Sequence, residues 1–324
     1  MRVLVTGGAG FIGSHLCEAL VARGDTVAIL DDFNAFYDPA LKRRNLEGLL
    51  SAGKVRLVEG DICDRARVDE ALAGGADAVI NLAARAGVRP SIAEPVLYSQ
   101  VNVTGTQVVL QAALAKGVKR FVFGSSSSVY GARSKAPFSE DDKVDRPISP
   151  YAATKIAGEM LCAAYRSLYP MECVALRFFT VFGPRQRPDL AIAKFARLMR
   201  EGKPLPFFGT GETARDYTFV DDIVRGVIAA TDRSWPEFEA INLGGAHPTK
   251  LVDLVKALEG ALGVTAKLDR KPDQPGDVPL TAADTRKAKL LLGWEPKVSL
   301  DEGLRRYAEW LGAPASLPKS ARGQ

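Results

Sequence analysis

Histidine and cysteine are scarce in this chain of 324 residues, which contains two histidines and four cysteines. The histidines, His15 and His247, are too few for a His-rich metal site and leave little room for a histidine-based catalytic triad. The cysteines lack the paired spacing of zinc sites and disulfide frameworks, which is typical of reduced thiols in the cytoplasm. The sequence therefore predicts no metal site and a cytoplasmic location.

Long apolar runs and a strong excess of one charge are also missing. No segment approaches the roughly 18 apolar residues of a membrane span, and the N-terminal residues MRVLVTGGAGFIG do not resemble a secretory signal. The net charge is only +5, from 43 basic and 38 acidic residues. The densest basic run, KRR at 42–44, has no interleaved aromatic residues. We therefore expect no membrane partner and no nucleic-acid partner.

The composition, with 47% apolar and 25% charged residues, is that of a globular protein, and the length allows about two domains. In the first half, short apolar runs predict strands buried on both faces at 2–6, 26–30, 55–59, 78–82, 120–124 and 173–176. Helical periodicity lies between them at 11–23, 97–116 and 150–169. Right-handed βαβ crossovers would join these elements. The predicted fold class is therefore α/β, a Rossmann-type doubly wound parallel sheet.

The pattern changes after about residue 178, where a series of prolines divides the chain into shorter elements. We therefore predict a dinucleotide-binding Rossmann domain over residues 1–178 and a smaller α/β substrate domain over 179–313. The segment 216–245 is expected to return to the first domain, and residues 314–324 resemble a frayed tail.

A glycine-rich segment, GGAGFIG, directly follows the first predicted strand and opens the first predicted helix. Gly7 permits the tight turn, Gly10 lets the backbone approach a pyrophosphate, and Gly13 lets helix and strand pack closely. The helix N-terminus at Phe11 and Ile12 supplies N–H donors for the phosphate charge. The segment predicts a dinucleotide site, although glycine spacing alone is a weak signal.

Residues at the ends of the next strands agree with a dinucleotide site. Asp31 ends the second strand, where a carboxylate accepts from the ribose 2′-OH and repels a 2′-phosphate, so the cofactor is predicted to be NAD rather than NADP. The alternative is a glycine-rich turn with a solvated aspartate. Asp61 and Ile62 are placed to hold the adenine, with Asp61 as a helix N-cap the alternative. Small residues that would leave room for the dinucleotide end the fourth strand: Leu82, Ala83 and Ala84.

Tyr151 and Lys155 lie four residues apart on a predicted helix, so their side chains share one face. Ser149 can cap this helix, and Pro150 suits its first turn. A nearby ammonium favours the phenolate form of a tyrosine, as a general base for an alcohol requires. Tyrosine–lysine pairs at this spacing also arise by chance, so the pair gains its weight from the surrounding motifs.

Four consecutive serines, 125–128, end the fifth predicted strand, at the sheet edge where ligands bind in open α/β folds. A serine hydroxyl at this edge can bond the reacting oxygen and guide its proton to Tyr151. The alternative is a polar loop. The register leaves open which serine contacts the reacting oxygen.

With these motifs in place, the sequence resembles the extended short-chain dehydrogenase/reductases and, within them, the nucleotide-sugar 4-epimerases. The resemblance covers nearly the whole chain and rests on GGAGFIG, the serine run, YAATK, RFFTVFGPRQRPD, ARDYTFVDDIV and QPGDV. The UDP-glucuronate 4-epimerases are the most similar branch, because DDFNAFYDPALKRRNL and AARAGVRPSIAEP are similar to loops of that family. One segment, FFGTGETARDY, is generic and does not distinguish the glucuronate enzymes.

The resemblance assigns roles to individual residues. Tyr151 resembles the catalytic base, Lys155 its electrostatic partner and a ligand of the ribose, and Ser126 the hydroxyl that assists proton transfer. Two further positions match residues near the cofactor: Asn102 and Phe178. The remaining matches concern the substrate, with the sugar near Ser127, Ser128 and Thr180 and the UDP moiety near Arg185, Arg215 and Asp277.

The resemblance also favours one reaction over its neighbours. Related 4,6-dehydratases carry Asp-Glu in place of Ser127-Ser128, so this chain lacks their proton donor for water elimination. The implied activity is NAD-dependent interconversion of UDP-glucuronate and UDP-galacturonate, with a UDP-glucose/UDP-galactose 4-epimerase as the alternative. A net dehydrogenase and a non-catalytic NAD sensor are weaker alternatives.

The family resemblance implies a homodimer formed through the helices at 97–116 and 150–169. It also implies a chemical hazard, because the 4-keto intermediate is β to the C6 carboxylate and can lose CO₂. Arg185 and three hydroxyl side chains, those of Ser127, Ser128 and Thr180, are candidates for holding the carboxylate away from the geometry that favours this loss. The alternative for Arg185 and Arg187 is contact with the diphosphate or solvent only.

Overall fold

The computed structural model describes residues 1–132, 135–272 and 278–312. Its strands are β1 (Arg2–Thr6), β2 (Thr26–Asp31), β3 (Val55–Glu59), β4 (Ala78–Asn81), β5 (Arg120–Ser126), β6 (Glu172–Phe178), β7 (Thr180–Phe182), β8 (Leu205–Phe208), β9 (Ala214–Phe219), β10 (Glu239–Leu243), β11 (Pro248–Lys250) and β12 (Leu268–Lys271). Each of the six strands predicted from the sequence is present, with ends that agree within two residues.

The helices occupy the segments between these strands. They are α1 (Phe11–Arg23), α2 (Pro39–Ser51), α3 (Arg65–Ala71), α4 (Val88–Ala93), α5 (Pro95–Ser99), α6 (Thr106–Ala115), α7 (Pro150–Leu168), α8 (Ala191–Arg200), α9 (Val220–Asp232), α10 (Leu251–Leu262), α11 (Arg286–Leu292) and α12 (Leu300–Trp310). None of the helices in the described part of the chain combines the length and apolarity that a membrane span needs.

Seven parallel strands form the main sheet, in the order β10-β6-β5-β4-β1-β2-β3. This confirms the predicted Rossmann-type sheet, and β10 extends it beyond β6. A three-stranded sheet, β11-β9-β7, and a parallel pair, β12-β8, lie in the second half of the chain. Of the segment 216–245, therefore, β10 pairs with the main sheet, whereas β9 belongs to the three-stranded sheet.

The main sheet is buried on both faces, as its continuous apolar strands predict. Along β1, for example, Val3 and Val5 pack into one core cluster, and Leu4 packs into another on the opposite face. This alternation follows from the two-residue period of a strand. The two cores hold the strand ends in register, and the loops that follow the strands are thereby brought together at one edge.

Two helices carry the site residues, and local signals determine where they begin. α1 begins after Gly10 and ends at Gly24, which has the left-handed φ of 93° typical of a helix C-terminus. At α7, the Ser149 side chain accepts from the backbone N–H of Ala152 at 3.1 Å, and Pro150 occupies the first turn. The predicted cap of α7 is therefore confirmed.

The helix predicted over 97–116 is present, but it includes a π-helical turn over Gln100–Gly105 that joins α5 to α6. At this turn the Asn102 side chain accepts from the backbone N–H of Arg85 at 2.7 Å and donates to the Arg85 carbonyl at 2.9 Å. It also donates to the Thr154 hydroxyl at 3.0 Å. The wider turn thus accompanies a side chain that bonds the loop after β4, a feature that hydrophobic periodicity does not signal.

Candidate active site

A cavity of about 790 Å³ opens at the carboxyl ends of the main-sheet strands. Its lining comes from the loops after β1, β3 and β4 and from the last residues of β2, β5 and β6. The strand order reverses between β1 and β4, which is the switch point where ligands bind in doubly wound sheets. The volume lies in the range of small-molecule and cofactor sites.

The glycine-rich loop after β1 fits the backbone of a dinucleotide. Gly7 has a φ of +71°, which L side chains rarely adopt. A Cβ added at Gly13 would lie 2.2 Å from the Gly7 carbonyl oxygen, so the helix can approach the loop this closely only with glycine. Gly7, Gly10, Phe11, Ile12 and Gly13 all line the cavity, at the N-terminus of α1. Its free N–H groups and helix dipole suit a pyrophosphate.

Asp31 lies at the end of β2 with 6% of its surface exposed. Its carboxylate accepts from the backbone N–H groups of Ala9 and Phe33, each at 3.0 Å. Burial raises the pKa of this carboxyl, and these two hydrogen bonds and the charge of Lys42 oppose the rise. Lys42 is itself buried in the lining and donates to the Asn34 carbonyl at 3.0 Å.

The adenine side of the cavity contains the predicted residues after β3 and β4. Asp61 and Ile62 both line it. The alternative role of Asp61 as a helix cap does not hold, because the Asp64 side chain caps α3 and Asp61 accepts from the backbone N–H of Cys63 at 2.8 Å. The residues predicted to leave room for the dinucleotide also line the cavity: Leu82, Ala83 and Ala84.

Two of the serines differ in their surroundings. Ser126 lines the cavity with Tyr151 and lowers the pKa of the Tyr151 hydroxyl, whereas Ser125 donates to the buried carboxylate of Glu159 at 2.6 Å. Ser126 is therefore the serine beside the candidate base. Burial raises the pKa of the Tyr151 hydroxyl, while Ser126 and the charge of Arg187 lower it.

Lys155 lies one helical turn after Tyr151 and is almost fully buried. Its Nζ donates to the Gly124 carbonyl at 2.6 Å and lies 5.9 Å from the centre of the Tyr151 ring. Burial lowers the pKa of Lys155 to about 8, although the Glu159 carboxylate raises it. The expected effect of Lys155 on Tyr151 is not the dominant one, because burial outweighs it and Arg187 is the cation that acts on the hydroxyl.

A buried polar network anchors the catalytic helix to the sheet. Arg177 of β6 donates to both carboxylate oxygens of Glu159, at 2.9 and 2.8 Å, and to the Tyr130 hydroxyl at 3.0 Å. Tyr130 in turn donates to Asn242 of β10 at 2.7 Å. Because Ser125 also bonds Glu159, one carboxylate joins α7, β5 and β6 directly beneath the serine run.

The residues predicted to bind the substrate combine hydroxyl groups with a cation. Ser127, Ser128, Thr180 and Arg215 all line the cavity, as does Phe178, which was predicted near the cofactor. The Ser128 Oγ is buried and has no hydrogen-bond partner within the described protein. An unpartnered buried hydroxyl in a cavity wall is a natural contact for a ligand oxygen.

Arg187 is the main functional residue for which the sequence gave no assigned site role. It lines the cavity, donates to Asp189 at 2.9 and 2.8 Å, and lies with its Cζ 5.3 Å from the centre of the Phe36 ring. Its charge lowers the pKa of the Tyr151 hydroxyl. The GPRQRPD motif contained the signal, but the sequence analysis assigned the site role to its first arginine, Arg185, whereas Arg187 lines the cavity.

Two predicted site residues do not line the cavity, and a third lies outside the described residues. Arg185 instead donates to both carboxylate oxygens of Glu18, at 2.7 and 2.9 Å, and to the Ser14 hydroxyl at 3.2 Å. The guanidinium expected to bind UDP is therefore bonded to α1 in this structure. Asn102 is buried beneath the loop after β4, where it bonds the backbone. Asp277 belongs to the segment that the structure does not describe.

Comparison with known proteins identifies the family. The model of the family described as GDP-mannose 4,6 dehydratase matches residues 4–307. A UDP-glucuronate 4-epimerase of Thermodesulfobacterium geofontis (strain OPF15) is 41% identical over 321 residues, which cover 98% of each chain.

Solved structures agree over the same length. A UDP-glucuronic acid 4-epimerase from Bacillus cereus, in complex with UDP-glucuronic acid and NAD, is 38% identical with a TM-score of 0.90, covering 96% of this chain and 99% of that chain. A UDP-glucose 4-epimerase from Thermotoga maritima, with UDP-glucose, is 34% identical with a TM-score of 0.88 at the same coverage. The chain therefore belongs to the GDP-mannose 4,6-dehydratase family of the extended short-chain dehydrogenase/reductases.

Proposed function

We propose that this protein is an NAD-dependent 4-epimerase that interconverts UDP-glucuronate and UDP-galacturonate. One observation carries the proposal: Tyr151 and Ser126 share a single cavity with the glycine-rich loop and with Arg187. A cofactor on the loop and a sugar beside Arg187 would therefore meet at the tyrosine hydroxyl. Relatives at 37–41% identity that carry the name UDP-glucuronate 4-epimerase, including probable ones, support the same activity.

The residues around the glycine-rich loop fit NAD. Asp31 presents a carboxylate where a 2′-hydroxyl would be accepted and a 2′-phosphate repelled, and Gly7 and Gly13 allow close backbone approaches that a Cβ would prevent. When bound, NAD⁺ would supply hydride chemistry at the sugar C4, taking up a hydride and later returning it to the opposite face.

The chain's own residues would move the proton. Tyr151 takes the proton of the sugar 4-hydroxyl and gives it back after the sugar has turned. Ser126 lines the same cavity and can bridge the tyrosine hydroxyl to the sugar oxygen. Ser126 and Arg187 both lower the pKa of Tyr151, so they favour the phenolate that accepts this proton. Lys155 holds positive charge one turn away.

The polar groups near Tyr151 suit an acidic sugar. Arg187 offers a guanidinium that can make charge-assisted hydrogen bonds to a carboxylate. Thr180 and the unpartnered hydroxyl of Ser128 offer further donors in the same wall. By contrast, neither Ser127 nor Ser128 can supply the proton that water elimination requires, so a 4,6-dehydratase reaction is disfavoured.

The same groups would protect the intermediate from decarboxylation. A 4-ketone β to the C6 carboxylate loses CO₂ most readily when the C5–carboxylate bond is perpendicular to the carbonyl plane. Hydrogen bonds from Thr180 and Arg187 can hold the carboxylate away from that geometry. We expect Thr180→Ala or Arg187→Ala to raise the fraction of 4-keto-pentose among the products. Unchanged partitioning in both variants would show that these residues do not protect the intermediate.

A product assay tests the proposed activity. Purified protein is incubated with UDP-glucuronate and, separately, with UDP-glucose, without added NAD⁺. Formation of UDP-galacturonate alone supports the proposal and shows that the cofactor is retained. Conversion of UDP-glucose alone would instead assign the neutral-sugar activity, which the similarity to the Thermotoga maritima structure keeps as the second candidate. No conversion of either, before and after NAD⁺ addition, would reject both.

The proposal includes a homodimer formed across α5 and α7. Ala153, Met160, Ala164 and Leu168 form an exposed stripe along α7, and Val96 of α5 is 79% exposed. Part of the face expected over 97–116 is unsuitable, because Val101 and Ala112 lie in the core of the subunit. Light scattering of the double variant Val96→Glu/Met160→Glu tests this surface. We expect the variant to be a monomer, and an unchanged dimer mass would show that the dimer does not form across α5 and α7.

A cytoplasmic location is also part of the proposal. All four cysteines are free, and reduced thiols are usual in that compartment. Fractionation of the native host would test the location.

A further inference from the structure

The loop between β7 and α8 contains an unusual turn. Gln186 donates its backbone N–H to the Gly183 carbonyl at 3.2 Å, with Pro184 and Arg185 at the two central positions. Arg185 has a φ of +63°, in the left-handed region that a turn with proline before it normally fills with glycine. A residue with a long side chain therefore occupies a backbone conformation that favours glycine.

The Arg185 side chain makes contacts that offset this backbone strain. One terminal nitrogen of its guanidinium donates to both carboxylate oxygens of Glu18, at 2.7 and 2.9 Å, which forms a charge-assisted ion pair. A third bond reaches the hydroxyl of Ser14, which is fully buried in α1. All three bonds therefore end on the helix whose first turn belongs to the glycine-rich loop.

The second arginine of the motif points into the cavity instead. Arg187 lies two residues after Arg185, packs over Phe36 and influences the pKa of Tyr151. The turn at 183–186 separates the directions of the two side chains. The loop is therefore attached to the cofactor helix at Arg185 and carries its cavity-facing cation at Arg187.

We propose that Arg185 is a positioning residue: its bonds to Glu18 and Ser14 fix the 183–189 loop on α1 and so aim Arg187 at the substrate. Arg185 acts through Arg187 and does not bind the UDP-sugar itself. The link to substrate rests on the proposed function, whereas the attachment of the loop does not.

Hydrogen exchange measures the attachment without any turnover. The reporters are the amide protons of Gln186 and Leu190, which bond the Gly183 and Arg187 carbonyls. We expect Arg185→Ala and Glu18→Ala each to speed their exchange by about tenfold. Arg65→Ala, which removes an ion pair of comparable type on α3, is the control and should leave them unchanged. Unchanged exchange in Arg185→Ala would overturn the proposal.

Steady-state kinetics measures the consequence for substrate. Arg185→Ala and Arg185→Gly should both raise KM for UDP-glucuronate by about tenfold, with little change in kcat, because binding of substrate and transition state is lost equally. Glu18→Ala should reproduce the rise in KM, whereas Arg185→Lys should show a smaller rise. In the background of Arg187→Ala, removing Arg185 should raise KM no further.

The outcomes separate the alternatives. Additive KM effects of Arg185→Ala and Arg187→Ala would mean that Arg185 contacts the substrate independently, which overturns the proposal. A wild-type KM in Arg185→Gly would assign the positioning to the backbone turn alone and also overturn it. A wild-type protein without activity on UDP-glucuronate would reject the proposed function, while the exchange result would still decide the attachment.

Discussion

Replacement of Gly13 by alanine is the sharpest test of the dinucleotide site. The added Cβ would lie 2.2 Å from the Gly7 carbonyl oxygen, 2.8 Å from Gly8 Cα and 3.0 Å from the Gly7 carbonyl carbon. All three atoms belong to the backbone, so no side chain can rotate away to make room. The Gly7 carbonyl also accepts from the Gly10 N–H at 3.1 Å, and its displacement would deform the whole loop.

The magnitude follows from the size of the clash. Relief of the contact requires the loop and α1 to separate by about 1 Å, and over-packing of this kind costs about 1–3 kcal/mol. If the same free energy is lost from cofactor binding, the affinity for NAD falls by about five- to hundredfold. The helix N-terminus would also move away from the pyrophosphate, which adds to the loss.

The assay is the NAD content of purified protein, together with the NAD concentration that restores activity. Gly48→Ala is the matched control, because nothing lies within 4 Å of a Cβ at that position in α2. This control should keep its NAD and gain stability by up to about 1 kcal/mol. A Gly13→Ala protein with wild-type NAD content and affinity would show that this loop does not hold the cofactor.

Three further predictions concern α7 and its neighbours. Ser126→Ala should lower kcat by about a hundredfold, whereas Ser125→Ala should mainly lower stability; equal kcat losses would contradict the register. Because the pKa of Lys155 is lowered to about 8, its ammonium is present below that pH and lost above it. Activity should therefore fall as the pH rises through about 8. Because Glu159 raises the pKa of Lys155, Glu159→Gln should move this fall in kcat to lower pH. An unmoved fall would show that the titration of Lys155 does not set the pH dependence. Glu159→Ala removes the carboxylate that pairs with the buried guanidinium of Arg177. This variant should lower the free energy of unfolding by about 3–5 kcal/mol in a urea titration.

Much of the fold could be predicted because its signals are local. The helix predicted at 11–23 matches α1 in both ends, since a glycine turn precedes it and Gly24 follows it. The π-helical turn within the helix expected at 97–116 could not be predicted, because it accompanies contacts between Asn102 and the loop after β4. Contacts between distant segments leave no periodic trace in a sequence.

The site shows the same limit. Tyr151, Lys155 and the glycine-rich loop were predictable, because spacing on one helix or one turn brings their residues together. The place of Lys42 in the cavity wall was not predicted, since its burial depends on how α2 packs against the loop after β2. The exchange of roles between Arg185 and Arg187 depends on one left-handed residue, which no side-chain pattern reveals.

The arrangement on α7 links catalysis to the stability of the fold. Tyr151, Lys155 and Glu159 follow each other at intervals of four residues, so one helical face presents the base, its cation and the carboxylate that binds β6. An error in the angle of α7 would move the base and strain the buried ion pair together. The second half of the chain contributes Thr180 of β7, Arg215 of β9 and Arg187 of the loop between β7 and α8, and none of the three bonds this network. Changes of sugar specificity should therefore arise at these positions at little cost in stability, whereas changes along α7 should affect kcat and unfolding together.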